Sequence, residues 1–209
     1  LGHPGRHRSL RRPGLLPERP PHSDGTDHHV EPPQGAQVRP EQNILVIGGS
    51  LGSVKVNQAV RSILPRLLEK FQVIHICGKG NLDESLIGTA GYVQYEYVDS
   101  PLKHLFAAAD LIVSRAGANS ICEILALRKP NVLIPLSASA SRGDQILNAR
   151  SFAGQGFSEV LEEEQMTDDT LLNAITGTYE NRRKFVEAME KSHLNNAVHT
   201  IMELIQAVQ

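Results

Sequence analysis

The chain has 209 residues, 40 % of them hydrophobic, and a formal net charge of −2. That is enough for one packed domain with an appendage. The near-neutral balance excludes a global attraction to nucleic acid or an anionic membrane. The absence of Trp and an aromatic content of 4 % exclude a stacking platform for single-stranded nucleic acid. No apolar run approaches the roughly 20 residues that span a bilayer; the longest candidate, Leu105 to Val113, is broken by Asp110. No signal peptide is expected, and a chain starting at Leu1 is expected to be processed or a fragment. Cys77 and Cys122 read as small buried residues of a reducing compartment. No Cys/His spacing suggests zinc, so no metal site is expected.

In chain order, residues 1–42 come first and differ from the rest. They hold 8 of the 12 prolines and 5 of the 9 histidines, and lack Ile, Phe, Tyr, Met, Lys and Cys. Such a segment buries too little apolar surface to offset the entropy of ordering, so disorder is expected. His28-His29 lacks a nearby third ligand and reads as solvated loop. The Arg-, Pro-, Gly- and His-rich composition beside an Ile- and Lys-containing domain also fits translation in a wrong frame. A coding DNA whose other two frames offer no continuation of the domain would sink that idea.

From Asn43 to Gln209 the pattern is that of a folded domain. Ile44-Leu45-Val46-Ile47 is a continuous apolar run, as in a strand buried on both faces, and stops at Gly48-Gly49. Val54 to Lys70 carries apolar residues at helical spacing, with a kink or break expected at Pro65. Val73 to Cys77 reads as a second strand, Tyr92 to Val98 as a third, Leu102 to Ala109 as a short helix and Leu111 to Val113 as a fourth strand. A helix over Ser120 to Leu127, a strand over Val132 to Ile134 and a helix over Gln145 to Gln155 follow. A short strand over Ser158 to Leu161 and two or three helices from Thr167 to Val208 finish the chain. This alternation predicts an α/β fold, a doubly wound parallel sheet. Ligands of such sheets bind beyond the carboxyl ends of the strands.

Four loops at those ends are candidates. Gly48-Gly49-Ser50-Leu51-Gly52 joins a strand to a helix. Its glycines allow a tight turn and close approach, the helix start suits phosphate, and Ser50 adds a hydroxyl. It is neither a Walker A loop nor G-x-G-x-x-G, and a plain tight turn remains the alternative. Ser114 to Glu123 has the same placement. The small residues Ala116, Gly117 and Ala118 leave room at the helix start, and Glu123 can accept two hydrogen bonds from a ribose diol or form a capping box with Ser120. In Ser141-Arg142-Gly143-Asp144-Gln145, Arg142 is a candidate phosphate partner and Gln145 an amide donor, with Asp144 as N-cap the alternative. A backbone N–H and C=O at the end of the third strand, Tyr97-Val98-Asp99, can read a base edge. Their convergence at one end of a sheet carries more than any one motif.

Three segments, Gly48 to Gly52, Ser114 to Ser120 and Ser141 to Ala149, stand in an order and spacing that resembles the C-terminal domain of the MurG family of N-acetylglucosaminyltransferases (glycosyltransferase family 28, GT-B fold). The resemblance covers about residues 43–207. It implies a Rossmann-like domain for UDP-N-acetylglucosamine. Ser50 would contact the diphosphate, Glu123 the ribose and Val98 uracil; Gly49, Gly52 and Ala118 to Ser120 would line the nucleotide, and Gln145 would contact sugar or phosphates. The family transfers N-acetylglucosamine with inversion to undecaprenyl-diphosphate-linked muramoyl pentapeptide, without a metal or other cofactor. Its place is the cytoplasm, at the inner face of the plasma membrane. The family's N-terminal acceptor domain, with its candidate general-base histidine, has no counterpart in residues 1–42. The expectation is therefore a donor-binding half without its own catalytic base. It would need an acceptor-domain partner chain or be an inactive remnant. A sugar-nucleotide epimerase finds no carboxylate and histidine set to support it.

Overall fold

A computed structural model describes residues 42–49, 52–98, 102–138 and 143–192. The segment 1–41, expected to be disordered, and the chain beyond Ser192 lie outside the described residues.

Six strands form one parallel sheet: β1 (Asn43–Ile47), β2 (Gln72–Ile76), β3 (Tyr92–Tyr95), β4 (Leu111–Ser114), β5 (Asn131–Leu133) and β6 (Glu159–Val160). Their order is β3-β2-β1-β4-β5-β6. Ile47 pairs with Ile76 on one side and Ser114 on the other. Ser114 pairs with Leu133, and Leu133 with Val160. The carboxyl ends are therefore level. The chain reverses its direction of travel across the sheet between β1 and β4, the point where doubly wound sheets open a ligand crevice.

The unbroken apolar run of β1 is explained by burial on both faces. Ile44 and Val46 point into a core with Val56, Val60, Leu171 and Ile175 of helices α1 (Val54–Ser62) and α6 (Asp168–Glu180). Leu45 and Ile47 point into the opposite core, with Phe106, Ile124, Phe152 and Phe185. These last four come from α3 (Leu102–Ala108), α4 (Ala118–Ala126), α5 (Asp144–Gly154) and α7 (Arg182–Glu190). Each such buried apolar side chain contributes about 1.5–3 kcal/mol.

Several local expectations are corrected. The break expected at Pro65 is present but falls just ahead of it: α1 stops at Ser62, and a four-residue α2 (Leu64–Leu67) follows with Pro65 in its first turn. Proline has no N–H and its ring clashes with a preceding turn, so the break falls ahead of it and leaves it where it is tolerated. The third strand ends at Tyr95, not Val98. Its partner β2 ends opposite, at Ile76, and the chain then turns at Gly78, where φ is +87°. Cys77 is buried as expected but Cys122 is exposed. It lies on α4 away from the inward face of Ile121, Ile124 and Leu125. Gly117 is the N-cap of α4, which makes Ser120 the third residue inside the helix, so the Ser120–Glu123 capping box does not form. Gly143, at φ +84°, caps α5 in place of Asp144.

Candidate functional site

A cleft of about 650 Å³ opens over the carboxyl ends of β1, β4 and β5. Gly48, Gly49, Gly52 and Ser53 line it from the turn after β1. Arg115, Gly117, Ala118, Asn119 and Ser120 line it from the turn after β4, and Leu136 and Gln145 from the β5–α5 side. Gly49, Gly52, Ala118, Asn119, Ser120 and Gln145 of the sequence-derived set are thus brought together. Ser50 and Arg142 lie outside the described residues. Val98 and Glu123 are not among the lining residues. Val98 is half-buried against the core beside α3, and Glu123 is exposed on α4.

The turn after β1 is shaped by glycine. Gly52 has φ +75°, and a Cβ there would strike the carbonyl of Cys77 at the end of β2. Only glycine lets the two strand ends approach this closely. Ser53 then caps α1, its hydroxyl accepting from the Val56 N–H at 3.4 Å. Asn57, one turn further, donates to the Cys77 carbonyl at 2.8 Å and ties the helix to the same strand end.

Three helices, α1, α4 and α5, begin at this cleft. The unpaired first-turn N–H groups and dipole of each favour an anion. Among the described residues, neither α4 nor α5 has a side-chain cap that would occupy those groups. Gln145 accepts from the Leu136 N–H at 3.1 Å through Oε1, and its Nε2 hydrogens meet no acceptor among the described residues. Asn148 donates to the Ala116 carbonyl at 3.0 Å and ties α5 to the start of α4.

Arg115, which lines the cleft, belongs to a cluster of charged residues. Arg115 is 6 % exposed. It donates to the Ile134 and Pro135 carbonyls at 3.2 Å each and to Ser53 Oγ at 2.6 Å, and pairs with Glu163. Glu163 also pairs with Lys55, at 2.7 Å. Burial pushes the Glu163 carboxyl up, but hydrogen bonds and charges from Lys55 and Arg115 outweigh it and hold the group below its ordinary range. Of these three charged groups Arg115 alone lines the cleft, where it places a guanidinium beside the three helix starts. The arrangement can hold a polyanion and stabilise charge that builds up on it.

Sequence reasoning assigned no role to Ser53, Arg115 or Glu163. A Ser directly before the first helical residue signals Ser53. Nothing marks Glu163, the middle residue of Glu162-Glu163-Glu164, as the buried one.

Residues 43–205 match the profile of the glycosyltransferase family 28 C-terminal domain. The chain is 58 % identical over 166 residues to a Lachnoclostridium phytofermentans protein named UDP-N-acetylglucosamine--N-acetylmuramyl-(pentapeptide) pyrophosphoryl-undecaprenol N-acetylglucosamine transferase, covering 79 % of this chain and 47 % of that protein. A Geobacillus thermodenitrificans protein of the same name is 56 % identical over 163 residues, covering 78 % and 46 %. The chain thus spans about half the length of these relatives. The crystal structure of Acinetobacter baumannii MurG superposes with a TM-score of 0.64 at 28 % identity, over 80 % of this chain and 50 % of that one. With this sheet order, a cleft at its reversal point and a profile match over most of its length, the chain belongs to glycosyltransferase family 28 and carries the family's C-terminal domain.

Proposed function

We propose that this chain is the donor-binding half of an inverting N-acetylglucosaminyltransferase that takes UDP-N-acetylglucosamine and acts in making lipid II from lipid I in peptidoglycan synthesis. The supporting observation is the meeting of three helix starts and a buried guanidinium in one cleft at the sheet's reversal point. The diphosphate lies against the Gly49–Gly52 turn, with Ser50 as a donor, and against Ala118, Asn119 and Ser120. Gln145 reaches the sugar or phosphates with Nε2. Glu123 meets the ribose and Val98 the uracil, beyond the cleft proper. As the glycosidic bond breaks, negative charge grows on the departing UDP, and the helix dipoles and the Arg115 cluster stabilise it. The general base and the lipid-linked acceptor come from an acceptor domain, whether in one chain or supplied by a partner chain, and closure of the two halves completes the site. No described helix is long and apolar enough to cross a membrane. Work at the cytoplasmic membrane face then depends on the lipid-linked acceptor and its domain.

Calorimetric titration of the chain with UDP and UDP-N-acetylglucosamine tests this reading. Binding of both is expected, with Gln145→Ala weakening UDP-N-acetylglucosamine roughly tenfold through the loss of one hydrogen bond. Absence of binding by the parent chain sinks the donor-site reading. Transfer to lipid I on adding an acceptor domain separates a working half-enzyme from an inactive remnant.

A further inference from the structure

Ser53 does more at this cleft than cap a helix. It is 9 % exposed and lines the cleft between Gly52 and Arg115. A hydroxyl has two acceptor lone pairs and one hydrogen. The Arg115 guanidinium, which can only donate, approaches Ser53 Oγ at 2.6 Å, and the Val56 N–H approaches it at 3.4 Å. Both acceptor positions are therefore taken by donors. The remaining hydrogen points away from both, and no acceptor for it is found among the described residues. Glu163 does not supply one: its Oε1 is met by Lys55, and its Oε2 faces Arg115 without a hydrogen bond from Ser53. A hydroxyl that accepts from a cation is also a stronger donor than a free one.

We propose that Ser53 donates its hydroxyl hydrogen to a phosphate oxygen of the nucleotide-sugar donor, with Arg115 as the positioning residue that fixes the hydroxyl's orientation. The inference rests on the donor-site reading above and adds a side-chain contact to it. Arg115 is held in turn by two strand-end carbonyls and by Glu163, so the orientation of the hydroxyl is set by β4, β5 and the segment after β6 together.

The test is calorimetry on the full chain with UDP and with uridine, beside thermal melts. Ser53→Ala removes both cap and donor. Ser53→Gly removes the donor but keeps most of the capping preference, since glycine is nearly as good an N-cap. Ser53→Thr keeps both. A hydrogen bond to a charged group predicts a roughly 10- to 100-fold loss of UDP affinity for Ala and Gly alike. Thr should stay within about threefold of the parent, and uridine affinity should not change in any variant. Parental UDP affinity in Ser53→Gly would reduce Ser53 to a cap and overturn the proposal. So would an equal loss toward uridine, which marks a general loosening of the domain. A parent chain that fails to bind UDP overturns the donor-site reading itself, whereas parental binding retained in Ser53→Ala overturns only the role of Ser53.

Discussion

Lowering the pH from 7 to 5 should destabilise this domain by about 2 kcal/mol through one residue, His75. His75 lies in β2 and is fully buried. Asn57 Nδ2 donates to the Cys77 carbonyl, so Asn57 Oδ1 faces His75 Nε2, 3.0 Å away. Nε2 therefore carries the hydrogen, and Nδ1 accepts from the Tyr92 hydroxyl at 3.0 Å. A second proton on the ring would force the Tyr92 hydroxyl to turn from donor to acceptor. Burial first, and the Arg61 charge second, push the His75 pKa from 6.5 down to about 3. As pH falls, the unfolded chain takes up this proton near 6.5 and the folded chain only near 3. Stability is therefore whole above the unfolded value and falls by about 1.4 kcal/mol per pH unit between the two. Urea unfolding followed by far-ultraviolet circular dichroism measures it. With a slope of about 2 kcal/mol per molar, the midpoint should drop by roughly 1 M between pH 7 and pH 5. His75→Gln offers similar donor and acceptor atoms but does not titrate, so most of that drop should vanish in it. An equal drop in His75→Gln, or no drop in the parent, would refute the reasoning.

Other outcomes follow from the cleft. Gly52→Ala combines a left-handed φ with a Cβ against the Cys77 carbonyl, whereas Gly49→Ala, at φ +93°, meets open space. Urea midpoints should show a loss of more than about 3 kcal/mol for the first and about 1–2 kcal/mol for the second; equal losses would refute the contact. Glu163→Gln leaves the Arg115 guanidinium buried without its counter-charge and should cost about 3–5 kcal/mol. Lys55→Ala, whose side chain is 68 % exposed, should cost no more than about 1 kcal/mol. Because the Glu163 carboxyl is held low, its share of stability is present above the ordinary glutamate range. It is lost only as pH falls below that range, and acid unfolding below pH 4 should be less steep in Glu163→Gln.

The alternation of strand and helix, the two-faced burial of β1 and the glycine turns were legible because each is a short-range pattern. Ile44 to Ile47 is apolar throughout since both faces are covered, and Gly48 to Gly52 breaks the run where the chain must turn. The candidate loops could be placed at one end of the sheet by topology alone, since parallel strands joined by helices all point the same way. Errors fell where the outcome depends on neighbours. β3 stops at Tyr95 because β2 leaves it, Cys122 faces outward because Ile121, Ile124 and Leu125 take the core, and Gly117 displaces the expected cap. What tertiary structure alone decided is which polar groups meet. Ser53 and Arg115 are 62 positions apart, and Glu163 comes from beyond the sixth strand to join them. No periodicity marks Glu163 out from Glu162 and Glu164, because its burial is set by the positions of α1 and β4, and the same packing leaves the Ser53 hydroxyl hydrogen without an acceptor among the described residues.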